Sequence, residues 1–150
     1  MKVGTPMPVH VSSRALIEEY FARLSRRDES AFDLVAEDFI QHAAAEQGRN
    51  GLRQTAIAID EDLGRPEIVV HHMVASDDLV CVHLDLVGTH MGSSIPLLRG
   101  IVPRKRKVTW SFLHLFRVVD GLITEHWACH DDLVLLEQLG LRIDQISGRA

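Results

Sequence analysis

Cysteine is scarce in this chain: Cys81 and Cys129 stand alone and far apart. Two isolated thiols exclude a disulfide framework and a zinc knuckle, so both are expected to be reduced core residues of a cytoplasmic protein. No apolar run approaches the roughly 20 residues of a membrane span. The N-terminus also lacks a charged start followed by an apolar segment, so neither a membrane partner nor a signal peptide is expected. There is no glycine-rich phosphate loop and no Ser or Cys nucleophile set beside a histidine in a recognisable motif, which removes support for nucleotide-dependent and hydrolase chemistry. Lys and Arg number 16 against 21 Asp and Glu, a formal net charge of −5. That balance argues against a nucleic-acid partner, and the basic run Arg104 to Lys107 reads as a solvated turn.

What is present is a composition ordinary for a globular protein, 46% hydrophobic and 25% charged over 150 residues. This is enough for one domain spanning 1–150 with a sizeable core. Residues 1–11 carry two prolines and no periodicity, as expected of a flexible arm. A helix is expected from Ser12 or Ser13 to about Arg26, burying Leu16, Tyr20 and Leu24, with Ile17 and Phe21 widening the stripe. Asp28 is placed to cap a short second helix through Val35. Asp38 to His42 reads as a brief extended piece, and a third helix runs from about Gly51 to Leu63, ended by Gly64 and Pro66. From Ile68 the chain turns to strand: Ile68 to Ser76, a turn at Asp77-Asp78, then Leu79 to Met91. Gly92 to Lys107 is a long loop with the character of a lid or pocket rim. Helices first and antiparallel strands afterwards imply an α+β fold, with the helices on one face of a curved sheet.

Val108 to Gly140 organises the rest. Asp120-Gly121 between two β-rich runs is a strong hairpin signal, and a short helix follows from Asp131 or Asp132. A two-residue loop would pair Val119 with Leu122 and set His114 opposite Trp127. A three-residue loop would pair Val118 with Leu122 and set His114 opposite His126, Phe112 opposite Ala128 and Trp110 opposite His130. The second register is expected because it groups Trp110, Phe112, Phe116, Val118 and Leu122 on one face. His114, His126 and His130 share that face, while Arg117 and Glu125 lie on the other.

The segments DFIQH (Asp38 to His42), GTHMG (Gly88 to Gly92) and HLFRVVDGLITEHW followed by LLEQLG resemble the SnoaL-like polyketide cyclases. These belong to the ketosteroid-isomerase-like, or nuclear-transport-factor-like, superfamily. The resemblance implies a cone-shaped curved antiparallel sheet with the N-terminal helices on its concave face, enclosing a pocket. It also implies cofactor-independent enzymes that close a ring by intramolecular aldol condensation, or relatives diverted to hydroxylation or epoxide opening. The family's functional histidine on the first hairpin strand matches His114. Its catalytic aspartate on the second strand falls on Ala128, and GIVPRKRKV and SSIPLLR depart from the family's loop.

Aldol-type cyclisation needs a base beside a carbonyl and donors to stabilise the enolate. Without the aspartate, histidine is the natural substitute, because its ordinary pKa of about 6.5 suits proton transfer near neutrality. His114, His126 and His130 are therefore the candidate catalytic residues. His42, His90, Trp110, Phe112 and Phe116 are the candidate substrate-binding residues. Asp131 and Asp132 are expected to cap the following helix, and Asp85 to lie on the face away from the helices. No metal is expected: His126 and His130 stand about 13 Å apart along a strand, and His71 and His72 point to opposite faces. The expected partners are a small apolar oxygenated substrate and a second copy of the chain, joined through the sheet face carrying His83, Asp85 and Trp127. A binding or dimerisation domain without catalysis is the alternative, favoured if Trp110, Phe112 and Phe116 fill the pocket.

Overall fold

The computed structural model describes residues 11–142; the expected arm, apart from Val11, lies outside them. Helix α1 spans Ser13–Ser25, with the Ser12 side chain accepting from the Ala15 N–H at its start. The cap contributes about 1 kcal/mol. Burying Leu16, Ile17, Tyr20 and Phe21 contributes about 1.5–3 kcal/mol each, so packing rather than capping holds this helix in place. Asp28 caps a single 3₁₀ stretch over Glu29–Leu34. Strand β1 (Val35–Gln41) starts earlier than the expected extended piece and ends on Gln41. Helix α2 spans Gly48–Asp62, strand β2 Glu67–Ser76 and strand β3 Leu79–Thr89. Strands β4 (Lys107–Val119) and β5 (Leu122–His130) form the hairpin, and α3 (Asp132–Gln138) closes the order.

The five strands form one sheet in the order β1-β5-β4-β3-β2. The fold is α+β as expected, but the sheet is mixed rather than wholly antiparallel, because β1 runs parallel to β5. The alternation along β3 and β4 sends Val80, Val82, Leu84 and Leu86, then Val108, Trp110, Phe112, Phe116 and Val118, towards the helices. There Tyr20 and Phe21 meet Phe116 edge-on, with ring centres 6.0 and 5.7 Å apart. The opposite face carries Cys81, His83, Asp85, Leu113, Leu115 and Trp127, and no helix of the described residues covers it.

The hairpin register differs from both sequence alternatives. Asp120 and Gly121 both have positive φ, 51° and 75°, and Val119 pairs with Leu122. This is the two-residue turn whose twist suits a hairpin. Val118 then pairs with Ile123 but Arg117 with Glu125, so Thr124 is an extra residue on β5. The bulge shifts everything beyond it by one position: His114 lies opposite Ala128, Phe116 opposite His126 and Phe112 opposite His130. Ile123 replaces Leu122 as the inward-facing residue and is wholly buried. A second irregularity between Val70 and His72 inserts His71 into β2. In consequence His71 and His72 both reach the outer face, against the expectation of opposite faces.

The segment after β3 is stapled down rather than free to act as a lid. The buried Asp62 carboxylate at the end of α2 accepts from the backbone of Ser94 and Ile95 and from the Ser94 hydroxyl, at 2.7–3.0 Å. Ile95, Leu98 and Ile101 are buried in the core. The glycines of GTHMG make this closeness possible: a Cβ on Gly88 would lie 2.3 Å from the Leu63 carbonyl oxygen, and one on Gly92 2.3 Å from Asp62 Oδ1.

Candidate functional site

The inner face of the hairpin gathers three imidazoles. His114 comes from β4, His126 and His130 from β5, and Ala128 sits between the last two and directly opposite the first. His114 Nδ1 and His126 Nε2 are 2.7 Å apart and share one hydrogen bond, so one ring donates and the other, which accepts, is neutral. They are diagonal neighbours rather than the direct cross-strand partners expected. The Thr124 bulge and the inward twist of the two side chains restore the contact that the register alone would not give.

Aromatic rings enclose the pair. Phe112 and Phe116 stack on His114 with centroids 5.0 and 5.6 Å away, and Phe116 and Phe39 stack on His126 at 4.7 and 6.3 Å. Burial, followed by the positive charge of neighbouring imidazoles, holds the pKa of His114 well below its ordinary value. The same causes in the same order bring His126 down to about 4. Both are therefore neutral at neutral pH. Among the described residues His126 Nδ1 is buried without a polar partner, and nothing bonds Nε2 of the half-buried His114. The second nitrogen of His114 is thus the one the pair leaves uncommitted among these residues.

His130 stands at the open end of the row, opposite Phe112 and edge-on to Trp110. Its Nδ1 lies 2.5 Å from Asp132 Oδ1, which also accepts from the Trp110 indole N–H at 3.1 Å. Asp131, not Asp132, caps α3 by accepting from the Val134 N–H. Asp132 is the functional candidate that sequence reasoning missed. Two adjacent aspartates before an apolar run read equally well as caps, and nothing in their order says which one turns back to the strand.

The candidate substrate-binding residues divide. Trp110, Phe112 and Phe116 line the inner face, each no more than 6% exposed. His42 does not join them. Phe39 and Gln41 point inward, so His42, one step on, stacks on Trp127 at 4.7 Å and bonds Glu125 at 2.8 Å on the outer side. His90 is fully buried beneath the long loop. Its Nδ1 accepts from the Arg104 N–H, which makes Nε2 the protonated nitrogen. It pins the loop and is not in ring contact with the histidine row.

Asp85 lies on the outer face as expected, bonded to Ser111 at 2.5 Å and His71 at 2.8 Å. The Ser111 hydroxyl chiefly, with His71 behind it, keeps its carboxyl below the usual range. His72 and His83 pair nearby through their Nδ1 atoms at 3.1 Å. A hollow of about 360 Å³ on this face is lined by His72, Val74, Cys81, His83 and Leu113. It is separated by the thickness of the sheet from the histidine row. Among the described residues no cluster of three or more His, Cys, Asp or Glu side chains is arranged to hold a metal ion, and no helix is long and apolar enough to cross a membrane.

An α+β fold built on a mixed five-stranded sheet, with a histidine row on its helix-covered face, defines the class. The profile of the SnoaL-like polyketide cyclases matches residues 15–139, and the chain belongs to that family. Solved structures agree on the fold. AclR from Streptomyces galilaeus, a proposed hydroxylase, is 22% identical with a TM-score of 0.72, over 85% of this chain and 95% of its own. IdmH from Streptomyces antibioticus, a proposed polyketide cyclase, is 25% identical with a TM-score of 0.72, over 87% and 100%. TsrD from Streptomyces laurentii is 23% identical with a TM-score of 0.73, over 83% and 92%. No curated protein matches the chain significantly.

Proposed function

We propose that this protein is a cofactor-independent enzyme acting by histidine acid/base catalysis on a small, largely apolar, oxygenated molecule, as a cyclase or isomerase of natural-product metabolism. One observation carries the reading: the hydrogen-bonded His114–His126 pair on the aromatic inner face, which commits His114 Nδ1 and leaves its Nε2 without a partner among the described residues. A neutral imidazole fixed by a second ring can take a proton from carbon next to a carbonyl and return it elsewhere on the same ligand. Ala128, standing where the family pattern has its aspartate, leaves that task to the histidines. His114→Gln should slow exchange of the α-hydrogens of an enolisable ketone such as 1-tetralone into D₂O by about 10²-fold or more. Near-normal exchange in this variant would remove His114 as the base.

Two further readings have their own support. AclR, named as a proposed hydroxylase, has the same fold, and a lost carboxylate is compatible with chemistry other than aldol closure. A non-catalytic binding or dimerisation role is favoured by the burial of Trp110, Phe112 and Phe116. An inner face filled by these rings, with wild-type protein inert towards enolisable ketones, would select it. In either case the outer face, on which Leu113 and Val74 are exposed, supports pairing with a second copy of the chain.

A further inference from the structure

Three groups outside the His114–His126 pair carry chemistry: the outer-face histidines, the buried Asp62 and the His130–Asp132 contact. The outer histidines have no ligand geometry for a metal among the described residues. The Asp62 carboxylate is fully occupied by donors from the loop it holds. The third is different, because its carboxylate is aimed at an imidazole whose other nitrogen is open.

We infer that Asp132 is a positioning residue that fixes His130 as the Nδ1–H tautomer, so that His130 Nε2 serves as a second proton-transfer atom at the mouth of the inner face. This rests on the acid/base reading above and extends it to a carboxylate from outside the strand position held by Ala128. The geometry has three parts. An ionised carboxylate only accepts hydrogen bonds, so the nitrogen 2.5 Å from Asp132 Oδ1 must carry the proton. Asp132 cannot swing away freely, since the Trp110 indole donates to the same oxygen from β4 and the residue begins α3. Asp131 does the capping, so Asp132 is not needed at the helix end.

Among the described residues nothing bonds His130 Nε2. The side chain retains 27% exposure; Ala128, one step along the same face, contributes only a methyl group, and the Phe112 ring lies against both His130 and His114 at 5.2 and 5.0 Å. A ligand over Ala128 would meet two imidazole nitrogens, one backed by a histidine and one by a carboxylate. In the forward step His130 Nε2 takes a proton from carbon beside the ligand carbonyl. The C–H electron pair moves to the carbonyl oxygen as an enolate, and the Asp132 carboxylate stabilises the imidazolium formed. The same proton, or a deuteron from solvent, is then returned to carbon, where the enolate electron pair closes the new bond, and the enzyme ends unchanged.

The test has two readouts. Nitrogen-15 NMR of the resting protein, with His130 assigned by His130→Gln, should show the neutral His130 ring protonated at Nδ1. In Asp132→Ala the accepting oxygen is gone, and His130 should move towards the Nε2–H tautomer that a free imidazole favours. Deuterium exchange of 1-tetralone should fall about 10²-fold or more in His130→Gln. In Asp132→Asn it should fall on the order of 10- to 10²-fold, in kcat more than in KM, with partial recovery in Asp132→Glu. An Nε2–H tautomer in the wild type, an unchanged tautomer in Asp132→Ala, or full exchange in His130→Gln or Asp132→Asn overturns the inference. Wild-type protein that exchanges nothing overturns the acid/base reading instead, and the tautomer measurement still decides the Asp132 contact.

Discussion

Restoring a carboxylate at position 128 tests the register and the electrostatics of the site together. Ala128 is the direct cross-strand partner of His114. Side chains so paired have Cβ atoms about 4.5–5.5 Å apart. In Ala128→Asp, a carboxylate about 5 Å from the His114 ring at an effective dielectric constant near 20 favours the imidazolium by about 3 kcal/mol, or roughly two pH units. His114 in the unmodified chain is held well below its ordinary value by burial. The variant should bring it back up by about that amount, towards the range where it titrates near neutrality. The measurement is a pH titration of the His114 ring followed by ¹³C–¹H NMR, with the signal assigned from His114→Gln. If the Thr124 bulge were absent, position 128 would point to the outer face. The histidine row would then hardly respond. A His114 signal that fails to move while outer-face histidines shift would refute the register, and with it the arrangement of the site.

Other consequences follow from the same geometry. His126 has a folded-state value of about 4 against an ordinary 6.5, so between these values the unfolded chain binds more protons. The stability it contributes is therefore intact above about pH 6.5 and lost as pH falls to 4, about 3 kcal/mol in all. Urea unfolding of His126→Gln at pH 7 and pH 4 should show the pH dependence reduced by about that much. Asp62→Ala should lower stability by about 2–4 kcal/mol in urea, because it strands buried backbone donors of Ser94 and Ile95. An undiminished midpoint would mean that the loop is held by its apolar anchors alone. Sedimentation velocity at micromolar concentration should show a dimer that Leu113→Lys disrupts. A monomer throughout, or a dimer indifferent to that change, would place any association elsewhere.

Much of the fold was legible because the signals were local. Ser12 and Asp28 cap where their side chains predict, α1 buries the stripe set by its 3.6-residue period, and Asp120-Gly121 makes the turn. The identity of the inner face was legible too, since Trp110, Phe112 and Phe116 alternate with polar neighbours along β4. Contacts that depend on a single extra residue were not. The bulges at Thr124 and His71 leave no mark in residue type, yet they decide which histidines meet. The parallel pairing of β1 with β5 was equally hidden, because it joins segments distant in sequence. His42 was misplaced by one step of strand parity, and the choice between Asp131 and Asp132 as the cap depends on backbone angles that the two identical side chains do not encode.

The Thr124 bulge also explains how a strand with conflicting patterns is accommodated. Ile123 and His126 are both buried, three residues apart, and a regular strand puts such residues on opposite faces. Without an extra residue, either Ile123 would leave the core or His126 would leave the row and Trp127 would enter it. Exposing Ile123 would cost about 1.5–3 kcal/mol, and a tryptophan beside Phe112 and Phe116 would overfill a face already closed by α1. The bulge resolves both at the expense of one uneven step in the β4–β5 ladder. It keeps Ile123 under the helices, leaves Glu125 paired with Arg117 and Trp127 with His42 outside, and turns His126 towards His114. The chemistry of the inner face therefore depends on an irregularity in the backbone as much as on the three histidines themselves.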